Sequence, residues 1–372
     1  MTLVIAGGGP AGALAAALLA RAGRHPVLLE RDAGPQEKVC GEFVSHEAQR
    51  IMGKIGVDVL NLGASVIGSI RLVHGDTVIE TRLPFQGAGL SRRVMDEALL
   101  QRAHALGAEI HRGRRIRSVA LDDEPVLDVG EPLTASTLFL ATGKHDLRGS
   151  PRTPKRPPEP LIGFKLHLRL MPAQTAALRG VVEVILFDDG YAGLQLIENG
   201  TANLCMLVDR SRFDAAGQDW MALLDDLSRN CPHLARRLDG AQMPQDRPST
   251  IFRVPYGHVH VPARSDHQAV FRLGDQAAVI PSFCGDGMSI ALHSAGAATA
   301  AFLRHGNAAS LYHRTLRNDV GGSVRLAFGL YRAAQHPASR ALLLGACTRW
   351  PAVMRAVATR TRVPDAALRR AA

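Results

Sequence analysis

Residues 3–12 of this 372-residue chain read LVIAGGGPAG, an apolar run followed by a glycine-rich turn. An apolar strand is predicted over residues 2–6, and a helix rich in alanine and leucine over 13–22. Between them, Gly7, Gly9 and Gly12 have the spacing G-x-G-x-x-G. In this motif the first glycine allows a tight turn, the second lets the backbone approach a pyrophosphate, and the third lets the helix pack on the strand. The stretch therefore predicts a Rossmann-like domain that binds a dinucleotide at the helix N-terminus.

The segment that follows supports this interpretation. A second apolar strand over 26–29 ends at Glu30, near the usual position of the acid that binds a ribose hydroxyl. A carboxylate there disfavours a 2′-phosphate, so NADP is not expected in this site. A signal peptide or membrane anchor over 3–22 is rejected, because residues 7–10 would break such a helix and no basic region precedes it.

A second glycine-rich segment lies far along the chain. It contains Gly274-Asp275, Pro281 and Gly285-Asp286-Gly287. A long cofactor needs a second set of contacts for its ribityl chain and flavin ring. The two segments together therefore favour FAD over a smaller nucleotide.

Composition limits the remaining classes of protein. Hydrophobic residues make up 46% of the chain, which is large enough for two globular domains. The net charge of +10 is spread along the chain as arginine and aromatic residues are only 5%, so no nucleic-acid partner is expected. The five cysteines include no C-x-x-C pair, so no metal site or disulfide framework is predicted. We expect a cytoplasmic location, and leave membrane contact and a monomer or homodimer open.

Four segments resemble the FAD-dependent oxidoreductases of the p-hydroxybenzoate hydroxylase (class A flavoprotein monooxygenase) and geranylgeranyl reductase superfamily. They are residues 7–30, 38–42, 91–99 and 272–288. The resemblance implies an α/β (α+β) protein of two domains: a Rossmann-like FAD-binding domain of glutathione-reductase type, an inserted antiparallel-sheet substrate domain and a helical C-terminus. The boundaries expected are 1–158 (with a short sheet excursion about 66–84), 159–266, 267–320 and 321–372. The proline-rich segment 149–160 is expected to be the crossover between the domains.

The glycine patterns and the resemblance assign a set of residues to the cofactor. Asp275 would bind a ribityl hydroxyl, Arg92 would reach the phosphates, and residues 285–288 would lie at the N1/O2 edge of the flavin. The full set is Gly7, Gly9, Pro10, Ala11, Gly12, Glu30, Arg31, Lys38, Cys40, Gly41, Arg92, Gly143, Gly274, Asp275, Pro281, Gly285, Asp286, Gly287 and Met288.

Two departures from the family pattern affect the chemistry. Class A hydroxylases carry a D-G motif linked to NAD(P)H, but in the stretch 143–149 Asp146 is followed by leucine. The electron donor is therefore left open, with NAD(P)H as one candidate. The W-x-W-x-I-P motif of flavin halogenases is absent from the sequence, so halogenation is not expected.

The first functional hypothesis is hydroxylation of an aromatic or polyketide-type small molecule through a flavin C4a-hydroperoxide. The alternatives are reduction of alkenes in a prenyl or other lipid, and a flavin-binding protein without turnover. Cys40 and Cys284 are candidate catalytic residues, or simply small side chains packed near the cofactor. Tyr191 and Gln195 lie on a strand expected to face a hydrophobic or aromatic substrate. The arginine-rich C-terminal helices are expected to cover the FAD domain, with a membrane-surface role as the alternative.

Overall fold

The computed structural model describes residues 2–154 and 160–370. Its strands are β1 (Leu3–Ala6), β2 (Pro26–Glu30), β3 (Phe43–Val44), β4 (Ser65–His74), β5 (Thr77–Gly89), β6 (Glu109–Arg112), β7 (Ser118–Leu121), β8 (Pro125–Asp128), β9 (Pro132–Thr134), β10 (Thr137–Leu140), β11 (Leu161–Leu168), β12 (Gly180–Phe187), β13 (Gly190–Leu196), β14 (Ala202–Asp209), β15 (Ser249–Phe252) and β16 (Val270–Arg272). Its α-helices are α1 (Pro10–Arg21), α2 (His46–Gly53), α3 (Arg92–Ala105), α4 (Pro172–Leu178), α5 (Arg210–Ala215), α6 (Trp220–Asn230), α7 (Pro232–Leu238), α8 (Gly287–His305), α9 (Ala309–Gln335), α10 (Pro337–Arg349), α11 (Ala352–Arg360) and α12 (Asp365–Arg370).

A parallel sheet of five strands forms the nucleotide-binding part of the molecule. Its order is β16-β10-β1-β2-β6, so the chain leaves this sheet after β10 and returns to it at β16. Ile5 and Phe139 point to the face covered by α1 and α8, whereas Val4 and Leu138 point to the small sheet β7-β8-β9. Both faces are therefore buried, which explains why β1 is apolar throughout and β10 is apolar after Thr137.

The second sheet has eight strands in the order β15-β11-β14-β13-β12-β4-β5-β3. Phe164, Leu194 and Leu204 lie on one face of it and pack against Leu223 and Leu227 of α6. The hairpin of β4 and β5 belongs to this sheet, because β4 pairs in parallel with β12. The short sheet expected near residues 66–84 is therefore longer than predicted. It is part of the second sheet because β4 pairs with β12, which lies far from it in sequence.

The C-terminal helices are divided between the two sheets. Helix α9 packs on α8 and β16, as expected for a cover of the FAD domain. Helices α10 and α11 instead lie on the β4–β5 side of the second sheet, where Cys347 and Met354 meet Ile79 and Leu72. The expectation that all these helices cover the FAD domain was therefore wrong for α10 and α11. Their apolar residues are buried against the face of the β4–β5 hairpin instead.

The predicted α/β fold class, with a Rossmann-like sheet, a largely antiparallel second sheet and a helical C-terminus, is confirmed. The boundary expected between residues 158 and 159, and residues 155–159 of the proline-rich crossover, lie outside the described residues. Within the described ranges, we find no helix with both the length and the apolar character needed to cross a bilayer.

Candidate functional site

A cleft of about 770 Å³ runs along the carboxyl ends of the parallel strands. Ligands of open α/β sheets bind at this edge, because the loops that follow the strands meet there. The turn after β1, the loop after β2 and the turn after β10 line one part of it. Residues of the segment 273–288 and the stretch 38–43 line another part. The two glycine-rich segments of the sequence therefore lie on one continuous cleft.

The glycines at the start of α1 are required by the backbone itself. A Cβ on Gly12 would lie 1.9 Å from the carbonyl oxygen of Gly7, and Gly7 has a φ of +107°. Gly9 lines the cleft, where a Cβ would meet only Arg92 Nη2, at 3.5 Å. Helix α1 begins at Pro10 with no side-chain cap, so its first amide groups remain available to an anionic ligand.

Glu30 ends β2 and is buried at the wall of the cleft. Its Oε2 accepts a hydrogen bond of 2.6 Å from the Gly8 amide, and its Oε1 accepts one of 3.0 Å from Asp32. These bonds hold the carboxylate in place, and each oxygen keeps acceptor capacity for a ribose hydroxyl.

Several basic residues line the cleft, among them Arg31, Lys38, Arg92 and Lys144; the others are Arg112, Arg114, Arg115 and Arg117. Arg92 binds Asp96 through two hydrogen bonds of 2.8 and 2.7 Å, one helical turn away on α3. Burial lowers the pKa of the Lys144 ammonium, but nearby Asp275 and other groups raise it above its ordinary value overall. The cleft therefore holds fixed positive charge suited to a pyrophosphate. Lys144 was not among the residues predicted from the sequence to bind the cofactor, although it follows the predicted turn at Gly143.

Most of the residues assigned to the cofactor line this cleft. Three do not: Gly12 packs against Gly7, Pro281 precedes the lining residue Ser282, and Asp286 is fully buried against Arg362. Those that line it are Gly7, Gly9, Pro10, Ala11, Glu30, Arg31, Lys38, Cys40, Gly41, Arg92, Gly143, Gly274, Asp275, Gly285, Gly287 and Met288.

The arrangement fits FAD. One end of the cleft has the glycine turn, the start of α1 and an acid at the end of β2, which suit the adenosine diphosphate half. The other end has the N-terminus of α8 and two glycines, Gly41 and Gly287, where an added Cβ would meet no atom within 4 Å. The free space beside these glycines can accept a flat ring. The adjacent helix N-terminus would stabilise the negative charge that the ring gains on reduction.

A second cavity of about 230 Å³ adjoins the flavin end of the cleft, and four residues line both: Gly41, Phe43, Ser282 and Gly285. It lies between the second sheet and the C-terminal helices, and its walls are mostly aliphatic. Its lining includes Ile70, Leu72, Val182, Val184, Leu186, Leu343, Leu344, Val353, Met354 and Val357. Tyr191 and Gln195, the residues expected to face the substrate, both line this cavity.

Polar groups are few in the second cavity. The Tyr191 hydroxyl lies 2.5 Å from Ser282 Oγ, and the Tyr256 hydroxyl lies 2.7 Å from the same atom. Burial and the neighbouring Tyr256 raise the pKa of Tyr191 well above its ordinary value, so its proton is retained at neutral pH. The side chain of Gln195 is buried, and neither its nitrogen nor its oxygen has a hydrogen-bond partner among the described residues. Such an amide is available to a ligand.

The two candidate cysteines line different cavities. Cys40 lies on the cleft and Cys284 on the second cavity, and both are free thiols. Burial raises the pKa of Cys284 to about 12, so this residue is a neutral thiol rather than a thiolate near pH 7. A catalytic role for either cysteine stays a prediction.

A buried charge network ties the cofactor loop to the second sheet. Glu42 is fully buried with a φ of +59° and accepts hydrogen bonds of 2.8 Å from His167 Nε2 and from the Arg92 amide. Lys165 of β11 donates to both Glu42 and Glu37. The Lys165 ammonium lies between the two carboxylates, and Arg93 also pairs with Glu37, at 3.4 Å. These contacts fix the loop that contains Cys40 and Gly41.

Comparison with known proteins adds to this geometry. The family model for the FAD-binding domain matches residues 1–129. The chain is 27% identical over 163 residues to menaquinone reductase of Mycolicibacterium smegmatis, covering 40% of the chain and 38% of that protein. It is 32% identical over 128 residues to digeranylgeranylglycerophospholipid reductase 2 of Methanopyrus kandleri, covering 34% of the chain and 32% of that protein.

A solved structure resembles almost the whole chain. The halogenase PltM in complex with phloroglucinol and FAD has a TM-score of 0.71 at 16% identity, covering 99% of the chain and 90% of that structure. This likeness concerns the fold, and the matches to the two curated relatives span about a third of their length. The predicted FAD cofactor is confirmed by the family model together with this fold.

Proposed function

We propose that this chain, whose residues 1–129 match the family model for the FAD-binding domain, is a monooxygenase-like enzyme that hydroxylates an apolar small molecule. One observation carries the proposal. The apolar second cavity opens on the end of the cleft that suits the flavin ring, and four residues are common to both. A substrate in this cavity would lie beside the reactive part of the cofactor.

Different residues along the cleft would bind different parts of FAD. Gly9 and the start of α1, with Arg92 and Lys144, would bind the pyrophosphate, and Asp275 would bind the ribityl chain. When bound, FAD supplies two-electron transfer and, with O₂, the oxygen-transfer chemistry. The N-terminus of α8 would stabilise negative charge on the ring through its free amide groups.

The second cavity would determine the class of substrate. Its aliphatic walls exclude water and favour a hydrocarbon part, while Tyr191 and Gln195 offer hydrogen bonds to a single polar end. Ser282 lies between the two tyrosine hydroxyls at the junction of the cavities, so these groups can hold a proton beside a phenolic or carbonyl oxygen. A phenol or polyketide-type molecule with an apolar substituent matches this arrangement.

Reduction of an alkene is the second candidate, for a specific reason. The two curated relatives are named as reductases of menaquinone and of a digeranylgeranyl lipid. The aliphatic lining of the cavity would also accept part of a prenyl chain. In that reaction a protein group must donate a proton, and the Tyr191 hydroxyl lines the cavity with its proton retained.

Product mass decides between the two reactions. The FAD-loaded protein is incubated with alkyl-substituted phenols and, separately, with polyprenyl quinones, with NADH, NADPH or dithionite as reductant, under air and under nitrogen. Hydroxylation predicts a product one oxygen atom heavier, formed only under air, with the label of ¹⁸O₂ incorporated. A product with two hydrogens added to the prenyl side chain under nitrogen, counted apart from reduction of the quinone ring to the quinol by the reductant, would overturn hydroxylation in favour of reduction. Absence of turnover with every donor would favour a flavin-binding protein without catalysis.

A further inference from the structure

A single arginine from the C-terminal segment is inserted under the loop that leads into α8. Arg362 follows α11 and is buried. Its Nη1 lies 3.3 Å from the Gly285 carbonyl oxygen and 3.3 Å from Asp286 Oδ1, and its Nη2 donates to the Cys284 carbonyl. Its Nε donates to the Ala358 carbonyl at 3.0 Å, so the guanidinium is held from both sides.

These contacts fix the orientation of two peptide groups. In a planar trans peptide the N–H points away from the C=O, so binding the carbonyls of residues 284 and 285 also orients the amides of residues 285 and 286. Gly285 has a φ of +67°, which glycine adopts readily. Because glycine can also adopt many other conformations, contacts with neighbouring residues are needed to hold it in this one. Gly285 also lines both the cleft and the second cavity.

Arg362 also has a charged and an aromatic partner. Asp286 is fully buried and has Arg362 as its ion-pair partner. The guanidinium also lies over the ring of Phe85, 5.0 Å from its centroid. A lysine could retain the charge, but it lacks the planar fork that reaches two carbonyls and a carboxylate together.

We propose that Arg362 is a positioning residue for the flavin site: it holds residues 284–286 in the conformation that receives the ring. The C-terminal segment, which also forms a wall of the second cavity, is thereby part of the cofactor site. The inference rests on FAD binding alone, so it holds whether the enzyme hydroxylates or reduces its substrate.

The test compares Arg362→Lys and Arg362→Gln with the parent protein. The measurements are the FAD dissociation constant, by reconstitution of flavin-free protein, and the visible spectrum and midpoint potential of the bound flavin. Arg355→Gln is the matched control, because Arg355 is an exposed arginine of the preceding helix. Leu316→Ala controls for general loss of stability, because Leu316 is buried in the FAD-domain core.

We expect the FAD dissociation constant to rise about tenfold or more in Arg362→Gln, since charge-assisted hydrogen bonds are lost. The flavin spectrum and potential should shift, Arg362→Lys should be intermediate, and Arg355→Gln should match the parent. The proposal would be overturned if Arg362→Gln left the flavin spectrum, the midpoint potential and the FAD affinity unchanged. It would also be overturned if Leu316→Ala, with the same melting temperature as Arg362→Gln, changed these three quantities by as much. If Arg362→Gln does not fold, Arg362→Lys decides by the same criteria.

Discussion

Replacing Gly12 with alanine tests whether the fold itself, and not only the cofactor, needs the glycine motif. The added Cβ would lie 1.9 Å from the carbonyl oxygen of Gly7 and 3.2 Å from the side chain of Ala141. The first contact joins two atoms fixed by the backbone, so no rotamer change can relieve it. Helix α1 would have to move roughly 1 Å from β1. Overpacking of this kind costs about 1–3 kcal/mol.

The same displacement would move the N-terminus of α1, where the pyrophosphate of FAD would lie. We therefore expect FAD binding to weaken at least about tenfold, equivalent to about 1.4 kcal/mol. Thermal unfolding of the flavin-free protein measures the first effect, as a melting temperature lower by a few degrees. Titration with FAD, followed by quenching of flavin fluorescence, measures the second.

Two other glycines serve as matched controls. A Cβ on Gly53, at the end of α2, or on Gly287, at the start of α8, would meet no atom within 4 Å. Gly53→Ala should leave both stability and FAD affinity unchanged or slightly improved, whereas Gly287→Ala should weaken only FAD binding because it faces the cleft. A Gly12→Ala protein with the melting temperature and FAD affinity of the parent would refute the steric argument, as would an equal loss of stability in Gly53→Ala.

Three further predictions concern the cleft, the cavity and the buried histidines. Asp275→Ala should lose bound flavin, and a protein that stays fully yellow after gel filtration would contradict its assignment to the ribityl chain. Gln195→Leu should leave FAD affinity unchanged and raise KM for an alkylphenol substrate about tenfold, because the substrate loses the hydrogen bond of the Gln195 amide in an apolar cavity. An unchanged KM would exclude contact between Gln195 and the substrate. Burial and neighbouring Arg152 lower the pKa of His258 to about 4, and His313 is shifted in the same direction, so both bind protons more weakly in the folded protein than in the unfolded chain. The contribution of these two histidines to stability should therefore be constant above about pH 6.5 and fall as the pH drops from about 6.5 to 4, by about 1–3 kcal/mol per histidine. Urea unfolding of the parent and the His258→Gln protein at several pH values checks this, and an equally steep fall in His258→Gln would count against that histidine.

The parts of the site that could be predicted from the sequence depend on short-range sterics. Gly7 and Gly12 meet within one turn, and Glu30 ends the next strand, so their spacing in the chain determines their spacing in space. Other parts could not be predicted in this way. Lys144 faces Asp275, and Glu42 binds Lys165, although each pair is far apart in sequence. No periodicity encodes such pairs, because sheet pairing and domain packing bring them together.

The nucleotide-binding half could be predicted from the sequence, because it consists of a strand, a glycine turn and a helix whose geometry follows from backbone clashes among neighbours. The sequence also indicated FAD, through a second glycine-rich segment. The positions of the C-terminal helices depend on tertiary packing, and so do the second cavity and the contact of Arg362 with residues 284–286. An amphipathic helix can bury its apolar face on any free apolar surface, so its own sequence does not specify which surface it covers. Only the assembled second sheet presents the surface on which α10 and α11 pack.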